Sequence, residues 1–248
     1  MVQPIPPGLL PLVAHYREKP QRAVRFRAPS WEKALAKAPT EATALLREAL
    51  YTKPYGGDKA SSADRTVDRA QLASACKAMV LDDRDSVLST FVLVMAWGYG
   101  PNGSRGNVAR ALVDPESAHA ALSSSATILR RAESAADGAV DQAHKEFRVP
   151  GVRQAFFTKW FAFAGHSPGR DWQPLILDSH VYLTLHQTLR VTTTDLADSR
   201  RRARRYVAYV EALHSWAHEL RVAEGNVDAQ QLEWVLFQHN GAALPAGC

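Results

Sequence analysis

The chain has 248 residues, 30 Lys+Arg against 25 Asp+Glu and 46% hydrophobic residues, so it is long enough for one large domain or two small ones and too apolar for wholesale disorder. A net charge of +5 is compatible with a polyanionic partner without requiring one. Two cysteines, Cys76 and Cys248, exclude a disulfide framework, an all-cysteine zinc site and a four-cysteine iron–sulfur cluster, and favour a reducing compartment.

Met1 to Gly8 is Pro-rich and lacks a basic stretch ahead of a long apolar run, so no secretory leader is expected. Arg22 to Arg27 (RAVRFR) alternates and predicts a short strand. Thr40 to Leu50, behind Pro39, predicts a helix capped by Thr40. Tyr55 to Asp64 (YGGDKASSAD) reads as a flexible loop. Asp68 to Val80 sets Leu72, Cys76 and Met79 on one helical face. Asp85 to Trp97 is apolar nearly all round, which predicts the central buried helix, stopped by Gly98 and Gly100; the apolar window is too short for a membrane span. Tyr99 to Asn107 (YGPNGSRGN) is Gly-rich but follows a helix rather than a strand, a poor setting for a phosphate cradle.

Asp114-Pro115-Glu116 is a strong helix start, with the helix running to about Ser134. Further helices are expected over Val140–Arg148, Val152–Ala164, Ser179–Arg190, Asp195–Ala223 and Asp228–His239, the last ended by Asn240-Gly241. The class is mainly α, with no βαβ series, no GxGxxG and no GxxxxGK[ST]. His214 and His218 lie four apart on one helical face, but no third ligand is apparent nearby, so no metal is expected.

The chemistry concentrates in Val149 to Leu185. Val152 to Ala164 carries one lysine, Lys159, among Phe156, Phe157, Trp160, Phe161 and Phe163. Such a lysine either snorkels to the surface or sits in a pocket where its amine can act as a nucleophile. After a Gly/Pro-rich loop, Gly165 to Trp172, the apolar run Leu175 to Leu177 ends in Asp178 at the expected N-cap of the next helix. Each feature alone has an ordinary structural explanation. Together, 19 residues apart, they point further.

This segment resembles the helix-hairpin-helix DNA glycosylase superfamily, and within it the 8-oxoguanine DNA glycosylase branch. There a hairpin leads into a helix bearing a catalytic lysine, and a loop and apolar run lead to a catalytic aspartate that caps the following helix. The spacing of Lys159 and Asp178 matches that branch. His180 matches a histidine that contacts the phosphate beside the flipped nucleotide, and Phe163 matches a position packed against the extruded base. One departure stands out: the family's Gly-x-Gly hairpin lies just before the lysine, whereas Pro150-Gly151 lies several residues further upstream.

The resemblance implies a multi-helix, glycosylase-like helix-hairpin-helix fold with an altered hairpin. It implies one unit of two packed helical subdomains over residues 1–248, with the active-site segment at 149–190. It also implies a base-excising N-glycosylase, with Lys159 and Asp178 catalytic and Phe163, Trp97 and Trp234 against the base. His180 and the basic run Arg200, Arg201 and Arg204 would take DNA phosphates. The implied partner is double-stranded DNA with a damaged or modified base, and no cofactor, metal or membrane is expected. A monomer in the cytoplasm, associated with the nucleoid, completes the expectation. The substrate is left as either an oxidised purine such as 8-oxoguanine or a hypermodified base of phage DNA, the latter placing the protein in antiviral defence. A lyase step through a Schiff base is a further option, and a non-catalytic nucleobase-binding module is the alternative.

Overall fold

The computed structural model describes residues 3–57, 60–101, 103–224 and 227–243, so Cys248 lies outside the described residues. In chain order the elements are α1 (Leu9–Tyr16), β1 (Val24–Arg27), α2 (Ala28–Ala34), a 3-10 helix (Thr40–Leu46), β2 (Lys53–Pro54), β3 (Asp64–Val67), α3 (Arg69–Ala78) and α4 (Arg84–Tyr99). There follow α5 (Arg105–Ala111), α6 (Pro115–Arg131), α7 (Ala139–Glu146), α8 (Gln154–Ala164) and α9 (Ser179–Leu183), which runs into a π-helical turn (Thr184–Thr188). The last are α10 (Thr193–Ala197), α11 (Arg202–Glu224) and α12 (Ala229–His239). The fold is mainly helical, as the periodicity predicts.

Aspartates start five of the helices. Asp68, Asp83, Asp114, Asp178 and Asp228 each accept a backbone N–H of the first turn, filling donors that a helix start otherwise leaves open. Helix α4 is buried at every position from Val87 to Ala96, and it packs against the 3-10 helix, α6 and α8. The core is thus built around α4, and α8, which carries Lys159, lies directly on it. Trp160 Nε1 donates to Ser125 Oγ at 3.2 Å and fixes α8 against α6.

A three-stranded antiparallel sheet in the order β1-β3-β2 lies beside this bundle. β1 is the strand expected from RAVRFR. β2 and β3 have too little alternation to read in isolation, and they form because the edges of Val24–Arg27 and Lys53–Pro54 both pair with Asp64–Val67. Of the segment expected to be a loop, Tyr55–Asp64, residues 58 and 59 lie outside the described residues, and Asp64 belongs to β3.

Three expectations are corrected. Thr40–Leu50 is a short 3-10 helix, ending at Leu46, and Thr40 makes no side-chain cap. Ser179–Arg190 is not one α-helix: it widens to the π-helical turn at Thr184, and the chain leaves it at Arg190 with φ 57°. Asp195–Ala223 is two helices. Asp198 takes the left-handed conformation, φ 43°, and Ser199 Oγ accepts the Arg201 N–H to start α11 anew. Composition alone does not show this break, because Asp and Ser are tolerated inside helices as well as at their ends. α1, α2 and α5 are helices that the sequence pattern leaves unmarked.

The connection from α7 to α8 is the hairpin. Val152 N donates to Val149 O at 3.3 Å across a turn with Pro150 second and Gly151 third. Gly151 has φ 78°, the geometry of a type II turn, which pairs Pro with a residue of positive φ. A Cβ on Gly151 would stand 2.8 Å from the Asn107 carbonyl, so the turn packs backbone to backbone on α5. A tight turn therefore joins α7 to α8, seated on the backbone of α5. No helix among the described residues is long and apolar enough to cross a membrane.

Candidate active site

Lys159 and Asp178 meet. Lys159 Nζ donates to Asp178 Oδ2 at 2.8 Å and to the Ala155 carbonyl, one helical turn back, at 3.1 Å. Both side chains are buried, at 7% and 8% exposure. The lysine does not snorkel. The other carboxylate oxygen, Asp178 Oδ1, accepts the N–H groups of His180 and Val181 at 3.1 and 3.3 Å. Three donors thus hold one carboxylate, one of them the only amine on α8.

The backbone around the pair is pinned by buried side chains. Thr158 Oγ1 accepts the Leu177 N–H at 3.1 Å, so the residue before the lysine grips the residue before the aspartate. Glu233 Oε2 accepts the Ile176 N–H at 2.8 Å, and the Tyr206 and Tyr209 hydroxyls donate to the Leu175 and Ile176 carbonyls at 2.7 and 2.8 Å. Leu175–Leu177 belongs to no helix and to no strand of the described residues. Its polar groups would be stranded in the core without these partners. Burial raises both phenols well above their ordinary pKa, so they stay protonated donors.

Gly98, the penultimate residue of α4, lies against the lysine stem. A Cβ there would stand 2.7 Å from Lys159 Cδ. Gly98→Ala should displace the amine while leaving the fold intact, because alanine favours the helix and a lysine stem can move. We expect the contact between the amine and Asp178 to open and the melting temperature to fall by a few degrees, since a buried ion pair is costly to break. A crystal structure of the variant together with a thermal melt checks this.

Phe163 is buried on the same face of α8, and Trp97 meets it edge-on with centroids 5.3 Å apart. Beside Phe163 opens a cavity of about 510 Å³, bounded by α3, the end of α8 and α12. Its lining includes Arg69, Lys77, Arg130, His166, Gln230 and Glu233. Trp97 and Trp234 do not line it. Trp234 is buried and lies nearly parallel to Phe237, centroids 6.0 Å apart, while His180 stacks on the same Phe237 at 4.7 Å. Arg200, Arg201 and Arg204 are exposed just before and within the first turn of α11. Arg201 and Arg204 lie near Asp141 of α7 and help hold its carboxyl below the usual range, after the larger effect of Lys145. The structure brings Lys159, Asp178, Trp97 and Phe163 into one region. It sets His180 and Trp234 together around Phe237 and leaves the arginines on the flank of α7.

Sequence reasoning missed Arg69 and Glu233. The Arg69 guanidinium is ion-paired with Glu233 and lies 5.5 Å from the Trp97 ring centroid and 6.0 Å from that of Phe163. Burial raises the Glu233 pKa, opposed by Arg69 and by the Ile176 N–H. A partner 164 residues away leaves no local signal. The other reactive group beside the cavity is inert: burial pushes the Cys76 thiol up to about 12, so it carries no thiolate at neutral pH. Among the described residues no cluster of three or more His, Cys, Asp and Glu could hold a metal ion.

A mainly helical chain with a hairpin running into a lysine-bearing helix, and an aspartate capping the helix beyond it, has the layout of the helix-hairpin-helix glycosylases. Residues 17–237 match the family described as "Putative 8-oxoguanine DNA glycosylase OGG-like protein", and the chain belongs to that family. Membership gives DNA glycosylase activity and DNA binding at the level of the family. No curated protein and no solved structure matches the chain.

Proposed function

We propose that this protein extrudes a modified base from duplex DNA and excises it at the Lys159–Asp178 pair. The observation that carries this reading is the buried contact of 2.8 Å between an amine and a carboxylate in an aromatic, water-poor setting. A glycosidic bond is out of reach inside the stack, so the nucleotide must flip out. Asp178 stabilises positive charge developing on the sugar and takes the proton that the amine loses. Lys159 Nζ attacks C1′, and the C1′–N bond breaks. The base leaves with that electron pair and takes the proton that Asp178 received from the amine, which returns Asp178 to its carboxylate form. Opening of the sugar ring gives a Schiff base between Lys159 and C1′. Loss of a C2′ proton and of the 3′ phosphate then nicks the strand, and hydrolysis of the C1′–Lys159 Schiff base by water frees the amine and completes the lyase reaction.

Phe163 stacks on the extruded base, with Trp97 packed behind it, while Trp234 lies against Phe237 outside the lining of that cavity. His180 holds a phosphate, and Arg200, Arg201 and Arg204 contribute to the sequence-independent grip that makes such binding salt-dependent. The protein acts as a monomer in the cytoplasm, at the nucleoid. The substrate is an oxidised purine or a hypermodified base of phage DNA, the second placing it in antiviral defence. Release of free base from duplexes bearing 8-oxoguanine or glucosylated hydroxymethylcytosine tests the reading. Release from the first alone assigns repair, and release from the second alone assigns defence. Tight binding of such duplexes with no release from any would favour a non-catalytic nucleobase-binding module.

A further inference from the structure

We propose that the Arg69–Glu233 pair is the specificity element of the cavity beside Phe163, and that it selects bases carrying a keto oxygen on the edge away from the sugar, at C6 of a purine or C4 of a pyrimidine. The inference rests on the reading of that cavity as the seat of the extruded base.

Arg69 presents only hydrogen-bond donors in a fixed fork. Among the described residues its one hydrogen-bond partner is Glu233, and its guanidinium lines the cavity next to Phe163. The rest of the charged lining has the same character. Lys77 and Arg130 are donors only, and Arg130 already serves the carbonyls of Ala164 and Cys76 at 2.7 and 2.8 Å. Glu233 is the sole carboxylate of the lining, at 1% side-chain exposure, and both of its oxygens are occupied, by Arg69 and by the Ile176 N–H. The charged groups of the wall therefore offer donors and withhold acceptors, whereas Ser74, His166, Ser167 and Gln230 can serve either way. A carbonyl oxygen set against Arg69 gains a charge-assisted hydrogen bond. The amino group of an adenine- or cytosine-type base would face Arg69 donor to donor, and Glu233, already occupied, offers it no acceptor.

Glu233 is a positioning residue on two sides. One oxygen orients Arg69 towards the cavity, and the other holds Ile176, two residues ahead of Asp178. A ligand seated against Arg69 is thus tied through one carboxylate to the segment that presents Asp178.

Single-turnover excision by the wild-type protein, Arg69→Lys, Arg69→Met and Glu233→Gln is measured on two sets of duplexes. The keto set carries 8-oxoguanine, hypoxanthine or uracil, and the amino or blocked set carries 1,N6-ethenoadenine, 3-methyladenine or glucosylated hydroxymethylcytosine. Binding to a duplex with a tetrahydrofuran abasic analogue, which has no base to read, serves as control. Arg69→Lys keeps the charge beside Glu233 and guards against a variant that fails to fold. The wild type should excise from the keto set. Each variant should lose roughly tenfold to a hundredfold there, as for other arginine contacts to bases, with abasic binding unchanged. Hypoxanthine as free base should compete where adenine does not.

Equal losses on every duplex and on the abasic analogue would overturn the proposal and leave the pair a structural tie. Preference for the amino set, or competition by inorganic phosphate at matched ionic strength but not by hypoxanthine, would also overturn it while sparing the excision reading. Release of no base from any duplex by the wild type would overturn both.

Discussion

Lys159→Gln should abolish the covalent adduct that borohydride traps between this protein and a duplex containing an abasic site. Only an amine forms a Schiff base, and glutamine of similar length carries none. The loss should be complete on a gel, because Lys159 is the amine held at Asp178, with Nζ 2.8 Å from the carboxylate and 93% of the side chain buried behind it. Removing one partner of a buried pair ordinarily costs about 3–5 kcal/mol. Glutamine softens that cost, because its amide can still donate to Asp178. A thermal melt separates a folded variant that has lost its chemistry from one that has unfolded. A folded Lys159→Gln protein that still gives the wild-type adduct would remove the lysine from the mechanism.

Asp178→Asn should slow base release by roughly 10²–10⁴-fold, the range for loss of a positioned acid–base group or of a charge set against a developing one. The substitution keeps the shape of the side chain. Its amide oxygen can still accept the His180 and Val181 N–H groups, so the start of α9 should survive. What is lost is negative charge facing Lys159 and the sugar. Duplex binding should therefore change little while the excision rate collapses, a split that equilibrium binding and single-turnover assays measure together. A variant that excises as fast as the wild type would leave Asp178 as a helix cap and nothing more.

The parts of this site that were legible in the sequence are those written in local chemistry. Asp178 before an apolar helix reads as a cap, and Lys159 among five aromatics reads as a lysine that either snorkels or sits in a pocket; the family spacing joins the two residues, and the structure buries the lysine. Asp68, Asp114 and Asp228 mark helix starts for the same reason. What was not legible depends on distant partners. Arg69 and Glu233 are each ordinary polar residues on a helix, and only the fold turns them into a buried pair against a cavity. Thr158 shows no sign in the sequence of holding the Leu177 backbone. Gly98 was read as the end of α4, whereas its bare backbone also makes room for the lysine stem. The break at Asp198 escaped because a left-handed aspartate looks like any other.

The most direct test of the central claim is to map the residue that carries the trapped DNA. An abasic duplex serves whatever base the protein removes in the cell. After borohydride reduction and digestion, mass spectrometry should find the sugar remnant on the peptide containing Lys159. A remnant on another lysine or on the amino terminus, or no adduct from a folded protein, would contradict the account.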